Sequence, residues 1–182
     1  METKKDYLLI VLHILSWIIF VGLCVEAGGF LFNTLYTLFY NSGGAANFWL
    51  KSDLSALYAF DQSQFVTLTV IMVIAAVLKA IMFYVIVKLF HDKKLDLTAP
   101  FNESFGRGLY NLSYLAAGVA LFTYWGTKLS ANLIEKGINL PSLQELRLAG
   151  ADVWLFMCVT LLVFARIFKK GITIQQENQL TI

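Results

Sequence analysis

Glu26, Lys79 and Asp152 are charged residues set inside long apolar runs, and they are where this sequence could carry chemistry. Burying a charge in hydrocarbon is costly, so each must face protein or water rather than lipid. Two acids and a base brought together could move a proton or hold a ligand. The blander reading, and the one favoured here, is a structural ion pair that fixes helix register. Glu26 lies in Gly22-Leu-Cys-Val-Glu-Ala-Gly-Gly29, and at about 100° per residue Gly22, Glu26, Gly29, Asn33 and Thr37 share one helical stripe. Lys79 lies nearer the middle of its run, and on an inward-running helix its side chain leans outward toward the two acids. Glu26, Lys79, Asp152 and Asn33 are therefore the candidate ligand or ion-pair residues.

Other chemistries find little to build on. His13 and His91 invite a haem reading, but His91 falls at a membrane edge and His13 about 9 Å deeper, so the axial positions do not match. Cys24 and Cys158 have no neighbour at metal or redox spacing and read as buried packing thiols. Gly106-Arg-Gly108 is too short for a phosphate loop and follows no strand. No Ser/His/Asp or Cys/His arrangement stands out. The sequence points to no enzyme, no catalytic residue, no metal and no cofactor.

The elements that must position these residues are helices. Of the 182 residues, 58% are hydrophobic and 14% charged, against roughly 25% charged in a soluble domain. The apolar excess falls in four blocks, each near or above the roughly 20 residues that span hydrocarbon. They predict a single all-α membrane domain over residues 1–182, an antiparallel bundle of four transmembrane helices at about 7–40, 64–90, 103–136 and 143–170. The first would be about 51 Å long and must tilt or project. Its Met-Glu-Thr-Lys-Lys start resembles a signal peptide, but the run is too long and lacks a small-residue cleavage site, so it is read as retained.

Between the first two spans, Leu50, Leu54, Leu57 and Tyr58 recur at helical spacing and predict a short amphipathic helix on the outer surface. Asp61 with Gln64, Asn102, and Ser142 with Glu145 are helix-start signals; Gly137 is a stop signal. Phe30, Phe32, Tyr36, Phe39 and Tyr40 crowd the outer end of span one, from packing or from lining an apolar cleft. Lys and Arg weigh toward the N-terminus, the middle loop and the tail, nine positions against four. The positive-inside rule then places both termini and the middle loop in the cytoplasm. A net charge of +2 gives no reason to expect nucleic-acid binding.

Three stretches carry a resemblance: Gly22 to Gly29, Ala99-Pro-Phe-Asn-Glu103, and the terminal Gly171…Glu177-Asn178…Leu180-Thr181-Ile182. Together they resemble an uncharacterised bacterial family of four-span membrane proteins, a domain of unknown function. The resemblance implies genes often adjacent to a small helix-turn-helix regulator, and hence a cytoplasmic protein partner. Pro100, Phe101, Asn102, Glu103, Glu177 and Asn178 would face it. The leading reading is a non-enzymatic membrane protein that senses or anchors through such a partner. The alternatives are a small transporter or proton-coupled carrier using Glu26 and Lys79, or an accessory subunit of a larger membrane complex docking through small residues such as Ala116 and Ala120.

Overall fold

The computed structural model describes residues 7–50, 52–91 and 103–179. Its elements run α1 (Tyr7–Phe39), a 3-10 segment (Ser42–Asn47), α2 (Ser55–Phe60), α3 (Gln62–His91), α4 (Glu103–Glu135) and α5 (Ala151–Gln179). All regular structure among the described residues is helical. Three helices, α1, α3 and α5, are long and apolar enough to cross a membrane. The middle loop, with Pro100, Phe101 and Asn102, lies outside the described residues.

The long helices form an open row rather than a closed bundle. α1 packs on α3, α3 on α4 and α4 on α5, and among the described residues α1 meets neither α4 nor α5 helix to helix. α3 and α4 are the inner members, and α4 is buried at three- and four-residue intervals through Leu109, Leu112, Ala116, Val119 and Thr123. Its glycines permit close approach: a Cβ on Gly108 would reach Leu89, and one on Gly126 would reach Leu148 and Ile71. These two contacts lie near opposite ends, so α4 runs beside α3 for most of its length. Burial on two sides accounts for Ser113 and the small residues at the packed positions of α4, whereas Asn111, Tyr114 and Tyr124 are exposed. Ala116 and Ala120 are buried in this seam and are not exposed docking faces.

Two apolar cores are stacked along the helix axes. One joins Phe30 of α1, Phe48, Leu54 and Leu57 of the first connection, Phe65, Leu68 and Met72 of α3, Leu133 of α4, and Leu146 and Leu148. The second joins Met82 and Leu89 of α3, Leu112 and Ala116 of α4, and Cys158 of α5. We call the first the head. Buried hydroxyls at Thr34, Thr69 and Thr123 donate to carbonyls four residues back, which satisfies them inside the helices.

The first connection plugs into the head instead of lying on the surface. The Asn41 side chain accepts from the Gly43 amide and starts the 3-10 segment. Leu54 and Leu57 are fully buried, Leu50 is exposed in left-handed backbone, and α2 is only six residues long. Pairing across helices overrides the amphipathic pattern, because Phe48 stacks on Phe30 and meets Phe65 edge-on. Asp61 then accepts from the Ser63 amide at 2.7 Å and opens α3.

The last helix starts later and ends later than residues 143–170. Ser142 and Glu145 do form the capping box, at 2.8 and 3.3 Å, but it opens only one turn. Arg147 N–H bonds to Gln144 and Leu148 N–H to Leu143, a Schellman stop with Arg147 at its left-handed position, φ 57°. The loop has by then doubled back along α4, since the Thr127 hydroxyl donates to the Leu148 carbonyl at 3.2 Å. Thr127 is about 12 Å from the end of α4 by helix rise. After Gly150, φ 82°, α5 runs unbroken to Gln179, nine residues past the expected end at 170.

Candidate functional site: a polar layer between two cores

The charged residues collect where the head ends and the second core begins. Glu26 immediately precedes Ala27 of the head core, and Lys79 lies between Ala76 of the head and Met82 of the second core. Arg147 arrives from the returning loop. Its Nε lies 3.2 Å from Glu26 Oε2, and its own carbonyl accepts from Lys79 Nζ at 2.9 Å. Lys79 Nζ also sits 5.8 Å from the centre of the Trp154 ring on α5, within cation–π range. Arg147 thus ties α1 to α3, and Lys79 carries the link on to Trp154 of α5.

The burial of the pair is lopsided. The Glu26 side chain is 15% exposed and that of Arg147 48%, so the acid depends on its partner while the guanidinium still reaches outward. An arginine suits this position because its planar fork offers several donors and it stays charged. It also holds a backbone conformation that glycine adopts more readily. Strained backbone kept at a polar contact points to a role for the side chain.

The four predicted site residues separate here. The Glu26 carboxylate meets Arg147, and Lys79 binds the Arg147 carbonyl rather than either acid directly. Lys79 does lean toward the head end. Asp152 is exposed in the first turn of α5, where a negative charge favours the helix N-terminus. Asn33 donates to the Gly29 carbonyl at 2.8 Å within α1 and takes no part in the layer. The buried stripe of α1 is Ala27, Phe30, Thr34 and Thr37; Gly22 is exposed, and Gly29 is covered by the Trp49 ring.

Arg147 and Trp154 were not singled out by sequence. A capping box followed by apolar spacing reads as a long helix start, and Arg147 entered only as one of the four outer-side positive charges. Gly150 was the available signal, a glycine inside a supposed helix. The histidines also differ from expectation. His13 and His91 rings lie 6.1 Å apart, and His13 stacks on Phe90, also at 6.1 Å. Counting depth from the span starts fails because α1 extends past the end of α3. Trp17 Nε1 donates to His13 Nε2 at 3.0 Å, which occupies that ring nitrogen. Cys158 is buried as predicted, but Cys24 is exposed.

At the other end of the row, a cleft of about 400 Å³ opens between the first turns of α4 and the last turns of α5. Glu103, Arg107 and Tyr110 line one side, and Lys169, Ile172 and Gln176 the other. Of the predicted partner-facing residues, Glu103 is exposed on this cleft, and Glu177 is exposed just beyond it on α5. Asn178 continues the same helix.

The fold and polar layer define an all-helical protein with three membrane-crossing candidates and an internal charge cluster. The chain belongs to the family described as Protein of unknown function (DUF2975), whose model matches residues 49–182. The match takes in Lys79, Arg147, Trp154 and the basic-end cleft, while Glu26 and α1 precede it. No curated protein and no solved structure matches the chain.

Proposed function

We propose that the chain is a non-enzymatic, four-span inner-membrane protein that relays the state of an outer head to a cytoplasmic protein partner. α4 completes the four spans in this reading, because it lies along α3 for most of its length and packs on α5, itself a membrane-crossing candidate. Lys88, Arg107, Lys169 and Lys170 mark the cytoplasmic end, and the head projects on the other side. The observation that carries the relay is the continuity of α5. It leaves the polar layer at Ala151 and runs without a break to Gln179, well past the last apolar turn at Phe168. A rigid helix met near its start by Lys79, which is itself tied through Arg147 to Glu26, can report movement of the head at its other end.

The partner that the family resemblance implies is a small helix-turn-helix regulator, held through protein contacts and not through direct nucleic-acid binding. A carrier using Glu26 and Lys79 is supported less, since Glu26 already meets Arg147 beside the head. The test is the mass of the particle extracted from its native membrane in mild detergent. A mass exceeding whole multiples of 20.5 kDa, with the excess lost on deleting residues 171–182, supports the relay. A homo-oligomer mass with and without those residues refutes it. Reporter fusions at residues 50 and 140 should locate outside and both termini inside; any other pattern overturns the topology.

A further inference from the structure

The basic-end cleft holds charges of both signs at the level where α5 changes from apolar to polar. Phe168 is followed at once by Lys169 and Lys170, which is where a bilayer surface would meet this helix. Arg107 and Lys169 face the cleft from opposite helices, and Glu103 lies one turn before Arg107 on the α4 wall. Gly106 is buried behind them, and a Cβ there would meet only Ile172, at 3.8 Å, so the missing side chain helps keep the cleft open. Toward the polar layer, exposed Tyr114 and Leu121 follow Arg107 at seven-residue spacing along α4. Leu162 and exposed Leu155 continue from Lys169 in the same way along α5. A polar cleft with both charges thus opens onto two apolar strips.

We propose that this cleft binds one phosphatidylethanolamine molecule, its phosphate held by Arg107 and Lys169 and its ammonium by Glu103, with acyl chains along the two strips. Basic pockets between membrane helices on the cytoplasmic side are a recurring headgroup site. The two cations match a phosphodiester, and arginine binds its oxygens in a paired geometry. The acid distinguishes the headgroup. A primary ammonium donates hydrogen bonds to a carboxylate, a trimethylated one does not, and a phosphatidylglycerol headgroup brings no cation for Glu103.

The inference shares with the proposed function only the placement of this end at a membrane surface, and lipid preference is read without assuming any partner. The full chain in mild detergent is titrated with phosphatidylethanolamine, phosphatidylcholine and phosphatidylglycerol of identical acyl chains, and bound lipid is counted by native mass spectrometry. Phosphatidylethanolamine should bind about tenfold more tightly than phosphatidylcholine, the size of one good charge-assisted hydrogen bond. Arg107→Ala with Lys169→Ala should abolish binding of phosphatidylethanolamine and phosphatidylglycerol alike. Glu103→Gln should reverse the order of those two lipids. Circular dichroism and the melting temperature confirm that each variant remains folded, and Glu103→Gln, at an exposed position, serves if the double variant does not. Equal binding of phosphatidylethanolamine and phosphatidylcholine, or a folded double variant that retains the preference, overturns the site. Tighter phosphatidylglycerol binding by the unaltered chain overturns the role of Glu103.

Discussion

Replacing Arg147 with glycine and with alanine separates two contributions made by one residue. Both substitutions remove the guanidinium from Glu26. Only alanine retains a Cβ in the left-handed backbone at φ 57°. The ion pair falls between two reference cases: an exposed pair contributes about 0–1 kcal/mol, and breaking a fully buried one costs about 3–5 kcal/mol. With the acid 15% and the arginine 48% exposed, loss of the pair should cost about 1–2 kcal/mol on that scale. Left-handed backbone costs an ordinary residue about 1 kcal/mol, which glycine at the Schellman position largely avoids.

Arg147→Ala should therefore lower stability by about 1–2 kcal/mol, and Arg147→Gly by about 1 kcal/mol less. Glu26→Gln should cost less than Arg147→Ala, because it leaves no uncompensated carboxylate. The Glu26→Gln, Arg147→Ala double variant should lie closer to Glu26→Gln than to Arg147→Ala, since it removes the carboxylate that Arg147→Ala leaves unpaired. Reversible unfolding of the detergent-solubilised chain by increasing SDS fraction, followed by circular dichroism, gives all four values. A glycine variant no more stable than the alanine variant would refute the strain argument. An alanine variant as stable as the parent would refute the pair.

The remaining predictions concern packing, accessibility and pH. Leu148→Ala removes a fully buried side chain wedged against Gly126 and should cost about 2–5 kcal/mol in the same unfolding assay. Gly126→Ala places a Cβ 2.6 Å from Leu148 Cδ1 and 3.1 Å from Ile71 Cγ2, and should cost about 1–3 kcal/mol through overpacking. A maleimide added to the detergent-solubilised chain should label Cys158 only after denaturation, read by mass; labelling of Cys158 in the folded chain would contradict its burial. The side chain and amide of Ser55 both donate to Asp53 and hold its carboxyl below the usual 3.8. A depressed carboxylate stabilises the fold above its unfolded pKa and loses that contribution as pH falls through the lower folded value. Asp53→Asn should therefore lower stability slightly across the neutral range and flatten the fall below about pH 4, so that parent and variant converge in acid.

The helices were legible because hydrocarbon demands long apolar runs, and the caps because orphan amides demand particular side chains. Gly137 illustrates this: it occupies the left-handed stop of α4 where glycine is the ordinary choice. Arg147 occupies the same kind of stop one loop later and could not be read that way, because arginine carries no such signal. Its presence there depends on Glu26, 121 positions earlier in the chain, and local spacing cannot encode that partner. The same limit hid the open row. Four apolar blocks fit a closed bundle or a linear array equally well, and the difference lies in which faces find small residues opposite them.

The polar layer follows from a mismatch of lengths. α1, α3 and α4 have 33, 30 and 33 residues, and at 1.5 Å per residue each exceeds a hydrocarbon core of about 30 Å by half or more. The surplus of each helix supports the head, where Phe30, Phe65 and Leu133 join one core. α5 takes no part in that core because it begins at Ala151, level with the polar layer. The loop before it must descend along α4 to reach that start, and it carries Leu146, Arg147 and Leu148 down with it. Two leucines seal the head, and the arginine between them meets the charges on α1 and α3. Moving Gly150 would therefore disturb more than a helix start. Gly150→Ala should strain the φ 82° turn, displace Arg147 from Glu26 and lower the stability gap between the Arg147→Ala variant and its parent. If that gap were unchanged in the Gly150→Ala background, the turn would not be what positions the arginine.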